Sequence, residues 1–383
     1  METFSSNSQM DGGRLMRAVM ALSGGMDSTG LLVRLLADGY KVSCISYDYG
    51  QKHVVEIERA KANISYLSQN GYEVEHRIAD LSSAMGLFHS ALTSDEIEVP
   101  EGHYEEEQMK ATVVPNRNAI FSSILYGYAL SVALREDCDV SIALGVHSGD
   151  HAIYPDCRPE FYSAINDAFA VGNWDSEKVS FHLPYIQGDK ETILRDALTA
   201  CSDLNLEFDT IFANTNTSYN PDSQGRSSGT SGADVERILA FHAIGKKDPV
   251  NYVNSWEEVL ASALHAQLVY HVTRENGTER AFTGKYDKHF EIGNYNCVNC
   301  GIILFTSEMK FDSGCGWPAF HSEHPEAEIL RKSDASFGSV RTEVRCSSCD
   351  SHLGHVFDDG PRQHGGERYC INSVCLTFGE GNK

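Results

Sequence analysis

A glycine-rich run near the start of the chain combines the residue types that bind phosphate groups. It consists of Leu22, Ser23, Gly24, Gly25, Met26, Asp27, Ser28 and Thr29. Paired glycines let the backbone approach a ligand closely, while hydroxyls and the free N–H groups of a helix start donate hydrogen bonds to an anion. The run lacks the Lys-Ser/Thr ending of a Walker A loop and the spacing of a dinucleotide fingerprint. It therefore predicts a phosphate-binding loop of another kind, with an ordinary strand-to-helix turn as the alternative.

Two further polar stretches follow apolar runs, where an open sheet would bind a ligand. Asp48 begins an Asp-Tyr-Gly-Gln stretch, and Asp156 lies in the polar cluster after the apolar run 140–146. Because ligands of parallel sheets collect at the carboxyl ends of the strands, both are expected beside the phosphate loop. Arg117, within Pro-Asn-Arg-Asn before a helical run, is suited to hold a carboxylate or phosphate. Its alternative is a solvent-facing position in a helix-capping loop.

Two CxxC pairs in the last third of the chain have the spacing of metal ligands. They are Cys297 with Cys300 and Cys346 with Cys349. Each pair brings two thiolates to one ion, and two pairs complete the tetrahedron that Zn²⁺ prefers. A pair of thioredoxin-like redox motifs is the alternative, but no βαβ pattern surrounds these cysteines. The spacing therefore predicts a zinc site.

A second set of cysteine and polar residues near these pairs is suited to redox chemistry. The set comprises Cys315, His352, His355, Asp359, Arg368 and Cys370. A thiol beside arginine and histidine is expected to have a lowered pKa and to act as a nucleophile. Taken singly, each of these cysteines and histidines is better explained as an ordinary buried or surface side chain.

The elements that must position these residues are of two kinds. From 16 to about 252, short apolar runs alternate with longer amphipathic ones, the pattern of a parallel sheet covered by helices. Strands are predicted over 17–22, 42–47, 72–78 and 140–146, and helices after the phosphate loop and over 54–70 and 119–134. A short connecting helix is predicted over 255–268. From 269 onward, short strands between Gly, Asn and Asp turns predict a small β-rich fold.

The charge of the chain bears on its partners. The 383 residues carry a net charge of −23, and residues 1–273 hold 19 Lys and Arg against 38 Asp and Glu. Such a surface repels nucleic-acid backbones, so we expect small-molecule substrates and no direct nucleic-acid partner; the acidic run 95–108 is expected to be a solvated loop. No apolar run approaches the ~18 residues of a membrane span. Since 1–16 lack a hydrophobic signal core, we expect a loose tail and a cytoplasmic protein without membrane contact.

Five motifs, in this order, make residues 16–252 resemble the 7-cyano-7-deazaguanine synthases of the ATP pyrophosphatase superfamily. They are the phosphate loop from Ser23 to Ser28, Asp48-Tyr49-Gly50-Gln51, Pro115-Asn116-Arg117-Asn118, Tyr154-Pro155-Asp156-Cys157-Arg158 and Gly188-Asp189-Lys190-Glu191-Thr192. The resemblance implies an adenine nucleotide α-hydrolase-like fold. It also implies a reaction of queuosine precursor synthesis, in which 7-carboxy-7-deazaguanine, ammonia and ATP give the nitrile.

The same resemblance implies roles for the site residues. The phosphate loop would hold ATP, with Asp27 acting through Mg²⁺. Arg117 and Lys190 would neutralise charge as the substrate carboxylate attacks the α-phosphate. Asp48 and Asp156 would contact the purine-like ring or its exocyclic amine. Ammonia would then displace AMP to give an amide, which a second activation would dehydrate.

The chain departs from this family at the zinc site that closes the family's domain. Ser218, Ser228, Ser231 and Asp234 stand where the family has four cysteines. Neutral hydroxyls are poor ligands for Zn²⁺, so we predict no zinc in this module. The surrounding Ser- and Gly-rich region is expected to be a mobile loop unless hydrogen bonds replace the metal.

The cysteine motifs make residues 269–378 resemble methionine sulfoxide reductase B. The resemblance implies that Cys370 attacks the sulfoxide sulfur, and that Cys315 converts the resulting sulfenic acid into a disulfide, which thioredoxin reduces. Trp317 would pack against the substrate methyl group. The substrates would be oxidised proteins or free methionine sulfoxide. The residues implied to bind and protonate the sulfoxide oxygen are His352, His355, Asp359, Arg368 and Asn372.

We therefore predict a bifunctional fusion with one zinc ion per chain. A tail over 1–15 precedes the synthase-like domain over 16–252, a linker helix covers 253–268, and the reductase domain covers 269–383. One alternative makes the first module a non-catalytic ATP-binding partner of an active reductase. Another keeps the adenylating chemistry and redirects it to a different substrate.

Overall fold

The computed structural model describes residues 10–11, 14–51, 55–90, 113–151, 154–218, 222, 225–327, 329–338 and 340–380. The expected acidic loop over 95–108 and most of the expected tail lie outside these residues. The chain divides into two compact units, Met1–Ala263 and Leu264–Lys383. Each unit has its own hydrophobic core.

The first unit is built on a parallel sheet. Its strands in chain order are β1 (Met10–Asp11), β2 (Arg14–Leu15), β3 (Arg17–Ala21), β4 (Lys41–Asp48), β5 (Glu75–Asp80), β6 (Val140–Ala143) and β7 (Val179–His182). β1 and β2 form a separate antiparallel pair, and the other five form a parallel sheet in the order β5-β4-β3-β6-β7. The predicted parallel sheet is thus confirmed. The third strand starts at Glu75 rather than at 72, because 72–74 form an extended connection after the turn at Gly71.

Helices cover this sheet and connect its strands. They are α1 (Met26–Ala37), α2 (Val55–Gln69), α3 (Ser82–Met85), α4 (Arg117–Glu136), α5 (Pro159–Gly172), α6 (Lys190–Asp203), α7 (Phe208–Ala213), α8 (Gly232–Ala243) and α9 (Trp256–Arg274). None of the helices in the described part of the chain is long and apolar enough to cross a membrane.

The central strand shows why the sheet is covered on both faces. Side chains alternate along a strand, so β3 divides its apolar residues between two layers. Ala18 and Met20 belong to the core that includes Leu31 of α1 and Ile193 of α6, whereas Val19 belongs to the core on the α4 side. Burial on both faces leaves the carboxyl ends of the strands as the place for a polar site.

The second unit is β-rich, as predicted. Its strands are β8 (Gly293–Cys297), β9 (Ile303–Thr306), β10 (Lys310–Phe311), β11 (Ala319–Phe320), β12 (Leu330–Asp334), β13 (Arg341–Arg345), β14 (His352–Phe357), β15 (Arg368–Ile371) and β16 (Leu376–Glu380). They form a six-stranded sheet in the order β10-β11-β15-β14-β13-β12 and a three-stranded sheet in the order β16-β8-β9. Pairing is antiparallel in both sheets.

The connecting helix is longer than predicted. We expected it over 255–268, but α9 continues to Arg274. Its last turns bury Val272 and Thr273, and Val272 belongs to the core of the second unit. The β-rich fold was predicted from 269 onward, but the first strand of that unit begins at Gly293.

Candidate functional site

The phosphate loop joins β3 to α1, and one glycine sets its conformation. Gly24 has a φ of 87°, and a Cβ on it would meet the carbonyl oxygen of Glu56 at 2.0 Å. The hydroxyls of Ser23 and Ser28 lie 3.0 Å apart, and the Gly25 N–H donates to Ser23 Oγ at 3.1 Å. The loop therefore presents hydroxyls and the N terminus of α1 together, which is the arrangement that favours anions.

A cavity of about 270 Å³ opens beside this loop. The predicted site residues in its lining are Leu22, Ser23, Gly25, Met26, Asp27, Ser28 and Arg117. Arg117 thus lines the cavity and does not occupy a solvent-facing position in a helix-capping loop. Tyr47 and Phe121 add a stacked aromatic pair to the lining, with ring centres 4.0 Å apart. Neither ring was predicted as a site residue, because an aromatic residue within a strand or helix carries no signature of a ligand contact.

Lys190 lies next to the loop. It is the first residue of α6 and only 8% exposed. Its Nζ is 3.0 Å from a Glu236 carboxylate oxygen, 2.8 Å from His147 Nε2 and 3.8 Å from Asp27 Oδ2. Asp27 Oδ1 is buried and has no hydrogen-bond partner among the described residues. A buried carboxylate oxygen without a donor suits a cation, so Asp27 fits the predicted Mg²⁺.

A carboxylate that the sequence did not single out also lines the cavity. Burial raises the pKa of Glu56 to about 7, against the opposing effects of the Arg117 charge and a hydrogen bond with Asn216. Burial likewise raises the pKa of Tyr49, which Arg117 opposes. Arg117 therefore lies near two acidic groups of the cavity lining. A lone Glu in the first turn of a helix carries no sequence signal of such a role.

Asp48 and Asp156 do not belong to the cavity lining described here. Asp156 Oδ2 accepts the Asn118 N–H at 3.3 Å, so this side chain supports the start of α4. Asp48 Oδ1 accepts the Gly50 N–H at 3.3 Å and shapes the turn after β4. Their contacts to a substrate ring stay predictions.

Hydrogen bonds connect most of the residues that replace the family's zinc-binding cysteines. Ser231 Oγ donates to Asp234 Oδ2 at 2.7 Å, and Ser218 Oγ donates to the same oxygen at 3.4 Å. Ser228 instead pairs with the Thr230 hydroxyl at 2.9 Å. Burial raises the pKa of Asp234, although hydroxyl donors oppose the shift. Two of the four positions thus converge on the carboxylate of a third, Asp234; the neighbouring residues 219–221 lie outside those described.

The four cysteines of the CxxC pairs come together in the second unit. Their Sγ atoms all lie within 4.8 Å of one another. Two of the separations, Cys297 to Cys349 and Cys300 to Cys346, are 3.6 Å. A tetrahedral ion with Zn–S bonds of about 2.3 Å places its sulfur ligands about 3.8 Å apart. The cluster is therefore consistent with zinc.

Cys370 and Cys315 form a separate thiol pair, with their Sγ atoms 3.6 Å apart. Burial and the Cys315 thiol raise the pKa of Cys370 to about 12, and Arg368 only partly opposes this. Burial also acts against ionisation of Cys315, yet the Ser313 hydroxyl and other donors lower its pKa overall. Our prediction of a lowered pKa at Cys370 is therefore wrong for the substrate-free protein, because burial outweighs the arginine.

Two histidines share a strand face with Cys370. The register between β13 and β14 shifts within this region, which brings His352 and His355 to one side although they are three residues apart. His355 is directly opposite Cys370 in the β14–β15 pairing. Each ring is oriented by a carboxylate, since His352 Nδ1 is 2.6 Å from Glu343 and His355 Nε2 is 2.8 Å from Asp334. No sequence pattern revealed the bulge or these two acids.

The remaining predicted residues of this site are held by ion pairs and backbone contacts. Arg368 donates to both oxygens of Asp359, at 2.8 and 2.9 Å. Asn372 Oδ1 accepts the Glu279 N–H at 3.0 Å, and Trp317 Nε1 donates to the Glu279 carbonyl at 3.1 Å. Glu279, a buried loop acid without a sequence signature, thus fixes two of the predicted residues.

The fold and sites define an α/β phosphate-loop protein with a second, cysteine-bearing β-rich domain. The family model described as "Queuosine biosynthesis protein QueC" matches residues 17–245, and the "SelR domain" model matches residues 265–380. The chain therefore belongs to the 7-cyano-7-deazaguanine synthase family. C-terminal to the synthase-like domain it carries a SelR domain, which is the methionine sulfoxide reductase B domain. Both predicted resemblances, and the fused enzyme they imply, are confirmed.

Two synthases agree with the first assignment. 7-cyano-7-deazaguanine synthase 1 of Colwellia psychrerythraea is 40% identical over 236 residues, which cover 62% of this chain and 98% of that protein. The synthase of Alteromonas mediterranea is 44% identical over 235 residues, or 61% of this chain and 97% of that protein. A solved structure of NMN synthetase from Francisella tularensis is 13% identical with a TM-score of 0.31, over 66% of this chain and 85% of that one.

Proposed function

We propose that the first unit converts 7-carboxy-7-deazaguanine, ammonia and ATP into 7-cyano-7-deazaguanine, and that the second reduces methionine-R-sulfoxide with electrons from thioredoxin. The observation that carries the first part is the buried Asp27 Oδ1, which has no hydrogen-bond partner in the described part of the chain and lies beside Lys190, on a loop that lines a cavity with Arg117. The second part is carried by the close approach of Cys370 and Cys315.

In the first unit, the loop hydroxyls and the helix N terminus would bind the ATP phosphates. Asp27 would hold Mg²⁺, which supplies positive charge to those phosphates. As the substrate carboxylate attacks the α-phosphate and pyrophosphate leaves, Arg117 and Lys190 would stabilise the added charge. Ammonia would displace AMP and form the amide, and a second activation would remove its oxygen to give the nitrile.

The neighbours of these cations support their roles. Glu236 and His147 hold the Lys190 ammonium beside Asp27, so little reorganisation is needed when ATP binds. Asp48 and Asp156 would contact the purine-like ring or its exocyclic amine. Glu56 is a further candidate for contact with donors of the deazapurine ring, because it lines the cavity itself.

Nucleotide turnover tests this proposal. Purified protein with ATP, Mg²⁺ and ammonium should release AMP and nitrile only when 7-carboxy-7-deazaguanine is present. Asp27→Ala should lower both rates at least about a hundredfold, the size of effect seen when one charge-stabilising group is removed. Asp209→Ala, at an exposed surface ion pair of the same unit, is the matched control.

Two outcomes would contradict it. AMP release that ignores the deazapurine but responds to another carboxylate would redirect the adenylating chemistry. ATP binding without turnover, in protein that still reduces methionine-R-sulfoxide, would make the first unit a non-catalytic partner.

In the second unit, the Cys370 thiolate would attack the sulfoxide sulfur. The sulfoxide oxygen would pass to Cys370 as a sulfenic acid, and the thioether would leave. The Cys315 thiolate would then attack Cys370, releasing water and forming a disulfide, which the dithiol of thioredoxin would reduce. His352, His355, Asp359, Arg368 and Asn372 would bind and protonate the sulfoxide oxygen, and Trp317 would contact the methyl group. The four-cysteine cluster would bind one structural Zn²⁺.

Single-cysteine variants separate these steps. Cys370→Ser should abolish reduction, whereas Cys315→Ser should complete one turnover and then fail to recycle with thioredoxin. Cys375→Ala, which changes a buried thiol outside the pair, should retain multiple turnovers. Sulfoxide reduction by Cys370→Ser at the wild-type rate would refute the assignment of Cys370 as the nucleophile.

A further inference from the structure

An exposed aromatic residue with a strained backbone lies in a loop of the second unit. Phe282 has a φ of 66°, in the left-handed region, and is 67% exposed. Residues with a Cβ are disfavoured there, and bulky ones most of all. Since the ring remains in solvent, its burial does not offset this cost. Strain of this kind clusters at binding and catalytic sites.

The loop that carries Phe282 is fixed at several points. The Phe282 N–H donates to the Gly316 carbonyl at 2.7 Å. Glu279, 4% exposed at the start of the loop, accepts the Ser373 N–H. At its end, a Cβ on Gly284 would meet Ser373 Cβ at 2.4 Å, so the backbone packs closely there. These contacts fix the loop, so the Phe282 ring is held in an exposed position.

Phe282 lies against the segment that carries the proposed resolving cysteine. A Cβ on Gly316 would come within 3.0 Å of the Phe282 ring. Gly316 stands between Cys315, whose Sγ is 3.6 Å from Cys370 Sγ, and Trp317, whose indole donates to a carbonyl at the start of the same loop. The ring thus lies at the rim of the thiol site.

We propose that Phe282 recognises the polypeptide around the oxidised methionine, by packing its ring against an apolar side chain beside it. This inference rests on the proposed reductase function and narrows its substrate to methionine-R-sulfoxide within an apolar stretch of chain. Phe282 shares its rigid loop with the anchor of Trp317 and Asn372, both assigned to substrate contacts, which favours the substrate over the reductant as its partner. Phe282 determines specificity and takes no part in the chemistry.

Single-turnover assays with pre-reduced protein and no added reductant test this. The probes are N-acetylmethionine-R-sulfoxide and two hexapeptides, in which leucine or aspartate flanks methionine-R-sulfoxide. Phe282→Gly removes the ring and suits the left-handed backbone, so the variant should fold. It should reduce the leucine-flanked peptide about fivefold to tenfold less efficiently, the size of one aromatic contact, and the blocked amino acid as well as wild type does.

Ile292→Ala, at another exposed apolar side chain of the same unit, should leave all three substrates unaffected. An equal loss on the blocked amino acid and the peptides, or no loss on any of them, would overturn the proposal. So would a loss seen only in thioredoxin-driven turnover, which would assign the ring to the reductant. Failure of wild type to reduce even the blocked amino acid would refute the reductase function itself.

Discussion

Two polar clusters, one in each unit, hold separate parts of the chain together by different chemistry. In the second unit, four thiols from two CxxC pairs lie within 4.8 Å of one another. In the first, the hydroxyls of Ser218 and Ser231 converge on the Asp234 carboxylate. Thiols are weak donors and weak acceptors, so the cysteine cluster needs an ion, whereas the hydroxyl–carboxylate bonds are complete without one. The stability of the second unit should therefore depend on a bound metal ion, and the stability of the first unit on the protonation of Asp234.

A buried ion pair next to Asp234 extends this hydrogen-bonded arrangement. Arg237 donates to both oxygens of Asp248, at 2.6 and 2.9 Å, and the Tyr252 hydroxyl donates to the same carboxylate at 2.7 Å. Arg237 also donates to the Thr215 hydroxyl at 2.8 Å. Ion pairs and hydrogen bonds between side chains thus connect the segments at the end of the first unit.

The largest expected effect comes from removing one ligand of the cysteine cluster. Structural zinc contributes on the order of 10 kcal/mol of apparent folding free energy in small domains. Cys346→Ser should therefore release the zinc, unfold residues 293–380 and abolish sulfoxide reduction. Metal analysis and amide hydrogen exchange by mass spectrometry measure both effects.

The control for this change is Cys375→Ala, which removes a buried thiol of the same unit outside the cluster. It should keep one zinc ion per chain. Two zinc ions in the wild-type protein, or a folded and zinc-free second unit, would break the contrast between the clusters.

A smaller effect is expected at the hydroxyl–carboxylate cluster of the first unit. Asp234→Ala removes the acceptor of two buried hydroxyls, and hydrogen bonds to a charged group contribute about 2 kcal/mol each. Exchange should rise over 211–243 while the zinc content stays constant. Asp209→Ala, in an exposed pair with Lys246 at 3.2 Å, should cost under about 1 kcal/mol. Zinc loss from Asp234→Ala would show that the first unit binds metal after all.

The sequence predicted the parts of the molecule that depend on local pattern. The alternation of short apolar runs with longer amphipathic runs predicted the parallel sheet. The Ser23–Ser28 run predicted the loop between β3 and α1. The CxxC spacing predicted the cysteine cluster, because each pair needs only one turn to bring its thiols together. The resemblance to the synthase family also predicted that Lys190 belongs to this site, although Lys190 is far from the phosphate loop in sequence.

Features that depend on burial or register could not be predicted in the same way. The bulge that aligns His352 with His355 arises from pairing with β13, which leaves no mark in the spacing of the histidines. The raised pKa of Cys370 depends on desolvation in the folded unit. Glu56 and Glu279 read as ordinary acidic residues until the fold buries them.

The Ser231 and Ser228 positions sharpen the comparison further. Ser231 is the N-cap of α8, where its Oγ accepts the Asp234 N–H at 3.2 Å and donates to the Asp234 carboxylate. Ser231→Ala should cost about 3 kcal/mol, because it removes both an N-cap of about 1 kcal/mol and a hydrogen bond to the carboxylate of about 2 kcal/mol. Ser228→Ala, whose hydroxyl pairs with Thr230, should be close to neutral. Equal effects at both positions would contradict a cluster centred on Asp234, and hydrogen exchange in α8 measures the difference.

The smallest expected effect is a pH dependence confined to the hydroxyl–carboxylate cluster. Burial raises the pKa of Asp234 above its ordinary value of 3.8, with the Ser227 and Ser231 hydroxyls and Arg237 opposing the shift. A raised folded-state pKa means that the folded protein holds this proton more tightly than the unfolded chain. The stability this provides is complete below pH 3.8 and is lost as the pH rises through the raised pKa.

Asp234→Asn cannot titrate at this position, and every other carboxylate is common to both proteins. The stability of wild type relative to this variant should therefore fall as the pH rises above about 4, and then level off. Amide exchange over 211–243, corrected for intrinsic rates, measures this difference at each pH. A difference that instead grows with pH would mean that the folded cluster stabilises the ionised carboxylate, so that the hydroxyls and Arg237 outweigh burial. The two clusters would then share a dependence on anionic ligands and differ only in the cation that balances them.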